Sequence, residues 1–293
     1  MAKESLWWQN VSQEASSAEG YAWPDPFMNR TQRRNGEVIA TIPARTGTPP
    51  RERNRVLEIH GLMGAIGEQF GLACTIERDI QRFVATAERR DFEHQLLIQR
   101  ALGESAAYFV LGASHSLGNL VLRLLMLNEK AAVRMVAEEP KSGGFLPFTD
   151  DRNDWLTLNS RTARLLRRAG RESENEGMCQ AAEATSALQR SDAFKDLEKR
   201  RGMDYHRRRP QSVQHTGLSQ SDIPDMNGWI PLGITAQAEP EADADLVHRL
   251  VLDAMNVLLR AMREVRQSVP VAIRAEGINY VVDLVMGEPT ITM

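Results

Sequence analysis

The sequence predicts an all-α protein, a helical bundle built on a long antiparallel helix hairpin, and three observations support this prediction. Apolar residues recur at steps of three and four positions over residues 51–90, and again over residues 91–128, which is the period of an amphipathic helix. Residues 242–267 repeat this pattern further along the chain. Alternating patterns typical of β-strands are confined to two short stretches, residues 37–42 and 278–286. Any β-structure is therefore expected to be minor.

The first two predicted helices meet near Arg90, and such a tight connection places two long helices side by side and antiparallel. The second helix is expected to end near Asn128, or after a short restart near Glu138, because Pro140 follows. The first helix contains four glycines, each of which costs about 1 kcal/mol relative to alanine: Gly61, Gly64, Gly67 and Gly71. Their spacing indicates either close approach of another helix or a break near Gly71.

Two shorter helices are expected between the hairpin and the last helix. One begins at Asp151 or Asp154 and ends near Arg168, and the next covers residues 178–200, with a polar loop over residues 170–177 between them. The second of these helices leads directly into a dense run of basic residues.

The chain is expected to divide into three parts. Residues 1–50 form an irregular N-terminal arm that prolines interrupt. Residues 51–268 form the helical domain, which includes a long loop at residues 207–242 rich in proline and small polar residues. Residues 269–293 form a tail with at most a short strand. Tryptophans bury a large apolar area when they dock, so the arm is expected to pack against the body or bind a protein partner through Trp7, Trp8 and Trp23.

Composition excludes several classes of protein. The chain has 293 residues, 42% of them hydrophobic, and a formal net charge of −3, so an ordinary globular protein is expected rather than one coated by nucleic acid. Cys74 and Cys179 lie far apart and match no metal-binding spacing, which predicts free thiols in a reducing compartment. The N-terminus lacks the apolar core of a signal peptide, and no window is apolar for the roughly eighteen residues of a membrane helix. A cytoplasmic protein without membrane contact is therefore expected.

The segment of residues 199–210 carries the strongest functional signal. It packs six cations, one histidine and one tyrosine into twelve residues. A cluster this dense repels itself, so it predicts an anionic ligand. His206 stands among these arginines, and histidine is the side chain whose ordinary pKa lies nearest neutrality. Arginine beside histidine suits phosphate chemistry, whereas a basic run at a helix C-terminus also simply complements the helix dipole.

Arg201 and His206 are separated by four residues, and Arg200 and His206 by five. With long paired helices before this pair and another helix after it, the sequence resembles the HEPN superfamily, whose signature is an arginine, four to six residues and a histidine. The resemblance covers roughly residues 51–268 and implies a metal-independent endoribonuclease of a toxin or defence type. It also implies a homodimer whose two motifs share one cleft, acting without a cofactor. Gly202 departs from the polar residue that the family commonly has there, which leaves a non-catalytic interaction or anion-binding module as the alternative.

The chemistry of RNA cleavage assigns a role to each residue of the basic segment. The ribose 2′-hydroxyl must lose a proton and the leaving 5′-oxygen must gain one, and a histidine such as His206 moves protons near neutral pH. Arg201 offers a planar, permanently charged fork to two phosphate oxygens. Asp204 is expected to support the protonated histidine, and Tyr205 to stack on a base. The remaining cations are expected to hold the phosphate backbone of RNA: Arg200, Arg207, Arg208 and Arg209.

Two rival sites receive less support. Ser116, within residues 112–119, resembles the nucleophile at the elbow of a serine hydrolase, but Ser114 stands where a glycine is usual and the surrounding apolar period is helical. Both serines are instead expected to be helical serines that bond back to backbone carbonyls or allow close packing. The six histidines form no pair at the spacing of metal ligands on one helix, so no metal site is expected.

Overall fold

The structure, a computed structural model, describes residues 50–86, 92–137, 155–206, 240–278, 281–285 and 288–292. Within these residues the protein is an all-α helical bundle with a small β-hairpin at its C-terminal end, which confirms the predicted fold class. The elements are α1 (Pro50–Thr86), α2 (Phe92–Leu125), α3 (Glu129–Ala137), α4 (Ser160–Glu172), α5 (Glu176–Arg190), α6 (Asp192–His206), α7 (Pro240–Ala275), β1 (Val281–Val285) and β2 (Glu288–Thr292). Residues 1–49 of the predicted arm and residues 207–239 of the predicted loop lie outside the described part.

Helices α1 and α2 form the antiparallel hairpin that the sequence predicts. The start of α1 lies beside the end of α2, because Arg55 Nη1 donates to the carbonyl oxygen of Met126 and Arg123 Nε lies 3.6 Å from Glu58 Oε2. Helix α1 is continuous through Gly71, so the glycines do not break it.

Helix α2 occupies the centre of the bundle. It contacts α1, α4, α5, α6 and α7, so that near its C-terminal end it has neighbours on every side. A helix in that position is apolar all round rather than amphipathic. The residues that show this are fully buried: Leu120, Val121, Leu122, Leu124 and Leu125.

The third predicted helix begins later than expected, at Ser160 rather than at Asp151 or Asp154. Asn159 is the physical reason, because its side chain accepts hydrogen bonds from the backbone N–H groups of Arg161 and Thr162 and caps the helix there. Residues 155–158, which precede the cap, are not helical. The helix continues past the predicted end to Glu172, which shortens the following loop to residues 173–175.

The fourth predicted helix is two helices, α5 and α6, which are separated at Ser191. Ser191 has an extended backbone with ψ of 143°, and its Oγ accepts a hydrogen bond from the N–H of Phe194 at 3.3 Å. It therefore ends α5 and caps α6. The break turns the chain, so that α6 packs against α7 instead of extending α5 away from the bundle.

Helix α7 is longer than predicted and passes through Pro270 to Ala275. The apolar period continues beyond Gln267 with Val269, Ala272 and Ile273, all of which are buried. This burial holds the chain helical despite the N–H that Pro270 lacks. The predicted boundary between residues 268 and 269 consequently falls inside a helix.

The minor β-element predicted at residues 278–286 is present as an antiparallel hairpin. Strand β1 pairs with β2 so that Val281 lies opposite Thr292 and Val285 opposite Glu288. Pro289 is tolerated in β2 because each strand of a two-stranded hairpin has an unpaired edge.

Both cysteines are free thiols. Burial, and secondarily the negative charge of Glu77, raises the pKa of Cys74 to about 12, so this thiol stays protonated and unreactive at neutral pH. Cys179 is partly exposed. Among the helices that the structure describes, none is long and apolar enough to cross a membrane.

Candidate nucleic-acid interface

The predicted Arg/His pair lies at the end of helix α6. Arg201 is exposed, whereas Arg200 is only 9% exposed and points largely into the protein. Of the two arginines at an acceptable spacing from His206, Arg201 is therefore the one at the surface. The side chains of Asp204, Tyr205 and His206 lie outside the described part of the structure, as do the whole residues Arg207, Arg208 and Arg209.

The backbone of α6 does not by itself bring Arg201 and His206 together. The helix is regular through His206, and positions five apart on a helix differ by about 140° around its axis. Two such side chains of one chain meet only if the long arginine bends around the helix or if a second molecule supplies one of them.

The guanidinium of Arg201 lies over an aromatic ring of the neighbouring helix. Its Cζ is 5.6 Å from the ring centroid of Tyr108 on α2, which is within the range of a cation–π contact. Tyr108 is exposed, and its ring meets Phe109 edge to face at 5.6 Å. This contact positions a positive charge and an aromatic face together at the protein surface.

His115 lies beside this pair, two turns after Tyr108 on α2. Its Nδ1 accepts a hydrogen bond from the N–H of Leu158 at 3.1 Å, so the neutral ring carries its proton on Nε2. Burial lowers the pKa of His115, and the positive charge of Arg201 lowers it further. His115 is therefore a neutral hydrogen-bond donor at physiological pH.

Glu198 lies one turn before Arg201 on α6. Burial raises the pKa of Glu198, and the attraction of Arg201 opposes that rise. Glu198 and Arg201 interact electrostatically but do not form an ion pair. Within the described residues, no carboxylate lies within 4.0 Å of Arg201. The guanidinium thus keeps its hydrogen-bond donors available for a ligand.

An exposed tryptophan, Trp155, begins the segment that leads into α4, and it was not among the predicted site residues. Buried Asn119 of α2 clamps the backbone of Leu156, since its Oδ1 accepts from the Leu156 N–H and its Nδ2 donates to the Leu156 carbonyl, both at 2.8 Å. Leu156 and Leu158 are buried, and Trp155 remains 55% exposed. The clamp therefore places a large aromatic ring in solvent just before α4.

Helix α4 presents a face of arginines that was also not among the predicted sites. Its thirteen residues include five arginines and one glutamate. The opposite face packs into the protein through Thr162, Ala163, Leu166, Ala169 and Gly170. The exposed arginines recur at helical spacing, which is the sequence signal that would have revealed them: Arg161, Arg164, Arg168 and Arg171.

The rival sites find no structural basis. Ser116 is buried within α2, and its Oγ donates to Gln69 Oε1 at 3.1 Å. Ser114 bonds back to the carbonyl of Val110 at 2.8 Å, as expected of a helical serine. A nucleophile elbow requires a strand that turns into a helix, and these serines lie in mid-helix. Among the residues described, no group of three or more histidine, cysteine or carboxylate side chains is placed to hold a metal ion.

Comparison of the chain with protein-family models, with curated proteins and with solved structures finds no match. The structure therefore defines an all-α protein in which Arg201 of α6 and Tyr108 of α2 share a surface, and in which α4 carries an exposed face of arginines.

Replacing His115 by glutamine is expected to make the stability of the protein less sensitive to acid. Because the folded protein lowers the pKa of His115, the unfolded chain takes up a proton first as the pH falls below about 6.5. The free energy of unfolding of the wild type therefore has its full value above that pH and decreases below it. His115 alone contributes at most about 1.4 kcal/mol of this decrease per pH unit.

Urea unfolding of both proteins between about pH 5 and pH 8 measures this effect. The free energy of unfolding of the His115→Gln variant is expected to decrease less steeply with falling pH than that of the wild type. Both proteins contain the other five histidines, so the difference reports on His115. An identical pH dependence would contradict the assigned burial and charge environment of His115.

Proposed function

We propose that this protein binds RNA on the surface that α2 and α6 form around Arg201 and cleaves it without a metal ion, in the manner of the HEPN superfamily that its sequence resembles. The observation that carries the proposal is the exposed guanidinium of Arg201, which lies over Tyr108 and close to the neutral imidazole of His115. A cation, a neutral N–H donor and an aromatic ring on one surface match the phosphate, the ribose hydroxyls and the base of a nucleotide.

Arg201 is the phosphate ligand in this proposal. Its contact with Tyr108 is worth roughly 0.5–1 kcal/mol at an exposed site, which is enough to orient the side chain and little enough to leave it free to bind. A guanidinium binds two phosphate oxygens in parallel, and this geometry also fits the charge that develops on the phosphorane during cleavage. His115 contributes a second donor through Nε2–H.

His206 is the proton-transfer group. It accepts the proton of the ribose 2′-hydroxyl while the 2′-oxygen attacks phosphorus. The bond from phosphorus to the 5′-oxygen then breaks as that oxygen takes up the same proton from the imidazolium. The products are a 2′,3′-cyclic phosphate and a free 5′-hydroxyl, so the reaction consumes no co-reactant. His115 does not take this role, because its Nδ1 is already engaged by Leu158.

Labelled single-stranded RNA and tRNA, incubated with the protein in EDTA, test the catalytic proposal. Wild type is expected to produce fragments that end in a 2′,3′-cyclic phosphate. The variants His206→Ala and Arg201→Ala are expected to be slower by about 100-fold or more, the usual contribution of a proton-transfer group or a charge-stabilising donor. Arg260→Ala, at an exposed position of α7, serves as the control and is expected to retain full activity.

The alternative is a protein that binds RNA or another anion without cleaving it, and Gly202 is the sequence feature that favours it. This alternative holds if wild type and His206→Ala bind RNA equally and both leave it intact. The nuclease proposal is then wrong, whereas loss of RNA binding in Arg201→Ala would still support the surface as a binding site.

A further inference from the structure

We infer that Gln69 of α1 recognises the ribose of the nucleotide at the proposed site, across a notch that Gly112 leaves on the surface of α2. The amide N–H groups of Gln69 are the donors for the 2′-hydroxyl, which is the group that distinguishes RNA from DNA. This inference rests on the proposed function, because it concerns the nucleotide whose phosphate Arg201 binds.

The notch lies on one face of α2. Tyr108, Gly112 and His115 share this face, because residues four and three positions apart on a helix are neighbours on its surface. Gly112 is about 6 Å from Tyr108 and about 4.5 Å from His115 along the helix axis. All three residues reach the surface, and Gly112 has no side chain to fill the space between the other two. An aromatic ring and an imidazole therefore stand on either side of a gap.

Residues 155–158 close one end of this face. Asn119 lies one turn beyond the imidazole, and it holds the backbone of Leu156 through two hydrogen bonds of 2.8 Å. At the other end, the guanidinium of Arg201 lies over the ring of Tyr108. The ring and the imidazole are about 10.5 Å apart along the axis, so the space between them has the length of one nucleotide.

Gln69 presents hydrogen-bond donors beside the notch. If Gly112 carried a Cβ, the three atoms nearest to it would be Cδ, Nε2 and Oε1 of Gln69, each at 3.5 Å. Ser116 Oγ donates to Oε1 at 3.1 Å, which fixes the orientation of the amide. Within the described part of the chain, Nε2 has no hydrogen-bond acceptor. The side chain is partly exposed, so these donors are available to a ligand.

The charges of these side chains assign each one to a part of the nucleotide. Arg201 is a cation and binds the phosphate, which RNA and DNA share. Gln69 and the neutral imidazole of His115 are uncharged donors, and they suit a neutral oxygen such as the 2′-hydroxyl. Gly112 lets the sugar approach the helix backbone closely. Tyr108 is left for the base, so the nucleotide must be unpaired.

Fluorescence anisotropy with a labelled RNA single strand, and with the DNA strand of the same sequence, tests the inference. Both strands are titrated in EDTA with full-length protein that carries His206→Ala, so that cleavage does not interfere. In this background, Gln69→Leu removes the donors and keeps a side chain of similar size. Gln180→Leu, the same change at an exposed position of α5, is the control.

Gln69→Leu is expected to weaken RNA binding about threefold to tenfold, the usual effect of one lost hydrogen bond, and to leave DNA binding unchanged. Gln180→Leu is expected to change neither. Ser116→Ala frees the amide to rotate, so it is expected to weaken RNA binding less than Gln69→Leu does and also to spare DNA binding. Arg201→Ala is expected to weaken both strands by the same factor, because both carry the same phosphates.

Gly112→Ala tests the notch separately from the donors. The added methyl makes only ordinary contact with Gln69, and alanine is the better helix former, so the variant is expected to melt at no lower temperature than wild type. It is nevertheless expected to weaken binding of both strands about tenfold, since one methyl group in the wrong place has an effect of this size. Gly61→Ala, where a Cβ would meet no atom within 4 Å, is the control and is expected to leave binding unchanged. Wild-type binding by Gly112→Ala would overturn the inference.

The outcomes separate this inference from the proposed function. If Gln69→Leu weakens RNA and DNA equally, the amide contacts the phosphate, and the ribose assignment is wrong while the RNA site stands. If Gln69→Leu affects neither strand, the inference is wrong, and weaker binding by Arg201→Ala would still support the site. If Gln69→Leu weakens RNA alone but wild type leaves RNA intact, the inference stands and the nuclease proposal is wrong. If the protein binds neither strand, both are wrong.

Discussion

Replacing Gly177 by alanine is expected to lower the free energy of unfolding by about 3 kcal/mol or more, the upper end of the usual cost of overpacking. The added Cβ would lie 2.4 Å from the backbone nitrogen of Ala272 and 2.6 Å from the carbonyl oxygen of Ser268. Both atoms belong to the backbone of α7, which cannot move aside as a side chain can. Asn175 also ties α5 to α7 here, because its Nδ2 donates to the Ala272 carbonyl at 2.9 Å.

Gly61→Ala is the matched control for this prediction. Gly61 also lies in a helix, but a Cβ at this position would meet no atom within 4 Å. The substitution is expected to stabilise the protein by up to about 1 kcal/mol, because alanine is the better helix former. Urea unfolding followed by circular dichroism compares the two variants with wild type. A Gly177→Ala variant as stable as wild type would show that α5 and α7 are not in such close contact.

Replacing His248 by leucine is expected to lower the free energy of unfolding by about 3–5 kcal/mol. His248 of α7 lies with its Nδ1 2.8 Å from Oε2 of Glu77 on α1, in the geometry of an ion pair rather than of a linear hydrogen bond. The Glu77 side chain is 0% exposed and that of His248 is 27% exposed. Oε1 of Glu77 has no hydrogen-bond donor among the described residues. Removing the imidazole would therefore leave a buried carboxylate without its partner.

Two comparisons give this second prediction its control. The double variant Glu77→Leu/His248→Leu removes both groups and is expected to recover stability to within about 1 kcal/mol of wild type. Lys130→Ala removes the exposed ion pair with Glu174 and is expected to cost less than about 1 kcal/mol. If His248→Leu costs no more than Lys130→Ala in chemical unfolding, the buried pair does not contribute as described.

The long helices were predictable from sequence because their apolar period alone specifies them. Helices α1, α2 and α7 each repeat this period over many turns, and the short interval between the first two patterns predicts that α1 and α2 are antiparallel. The positions at which shorter helices start and stop were harder to predict. Asn159 and Ser191 are ordinary capping residues in sequence, and only their hydrogen bonds in the fold show that they act as caps.

The surface to which we assign the proposed function was only partly predictable. Arg200 and Arg201 both stand at a suitable spacing from His206, and Arg201 was predicted as the catalytic one; the packing of α6 buries Arg200 and exposes Arg201. No role was predicted for His115, which lies within the rival segment of residues 112–119. Its place beside Arg201 depends on contacts between α2 and α6, which are far apart in the chain. The arginines of α4 were visible in sequence at helical spacing, inside a helix that was predicted, so this face could have been predicted from the sequence.

By itself, the sequence determined that the protein is an all-α bundle with a long antiparallel hairpin, because hydrophobic periodicity is a local property that each helix carries alone. It also determined which residue types are available for phosphate chemistry. The tertiary structure alone decided which of them share a surface. Side chains from α2 and α6, such as Tyr108 and Arg201, meet there because these two helices pack against each other.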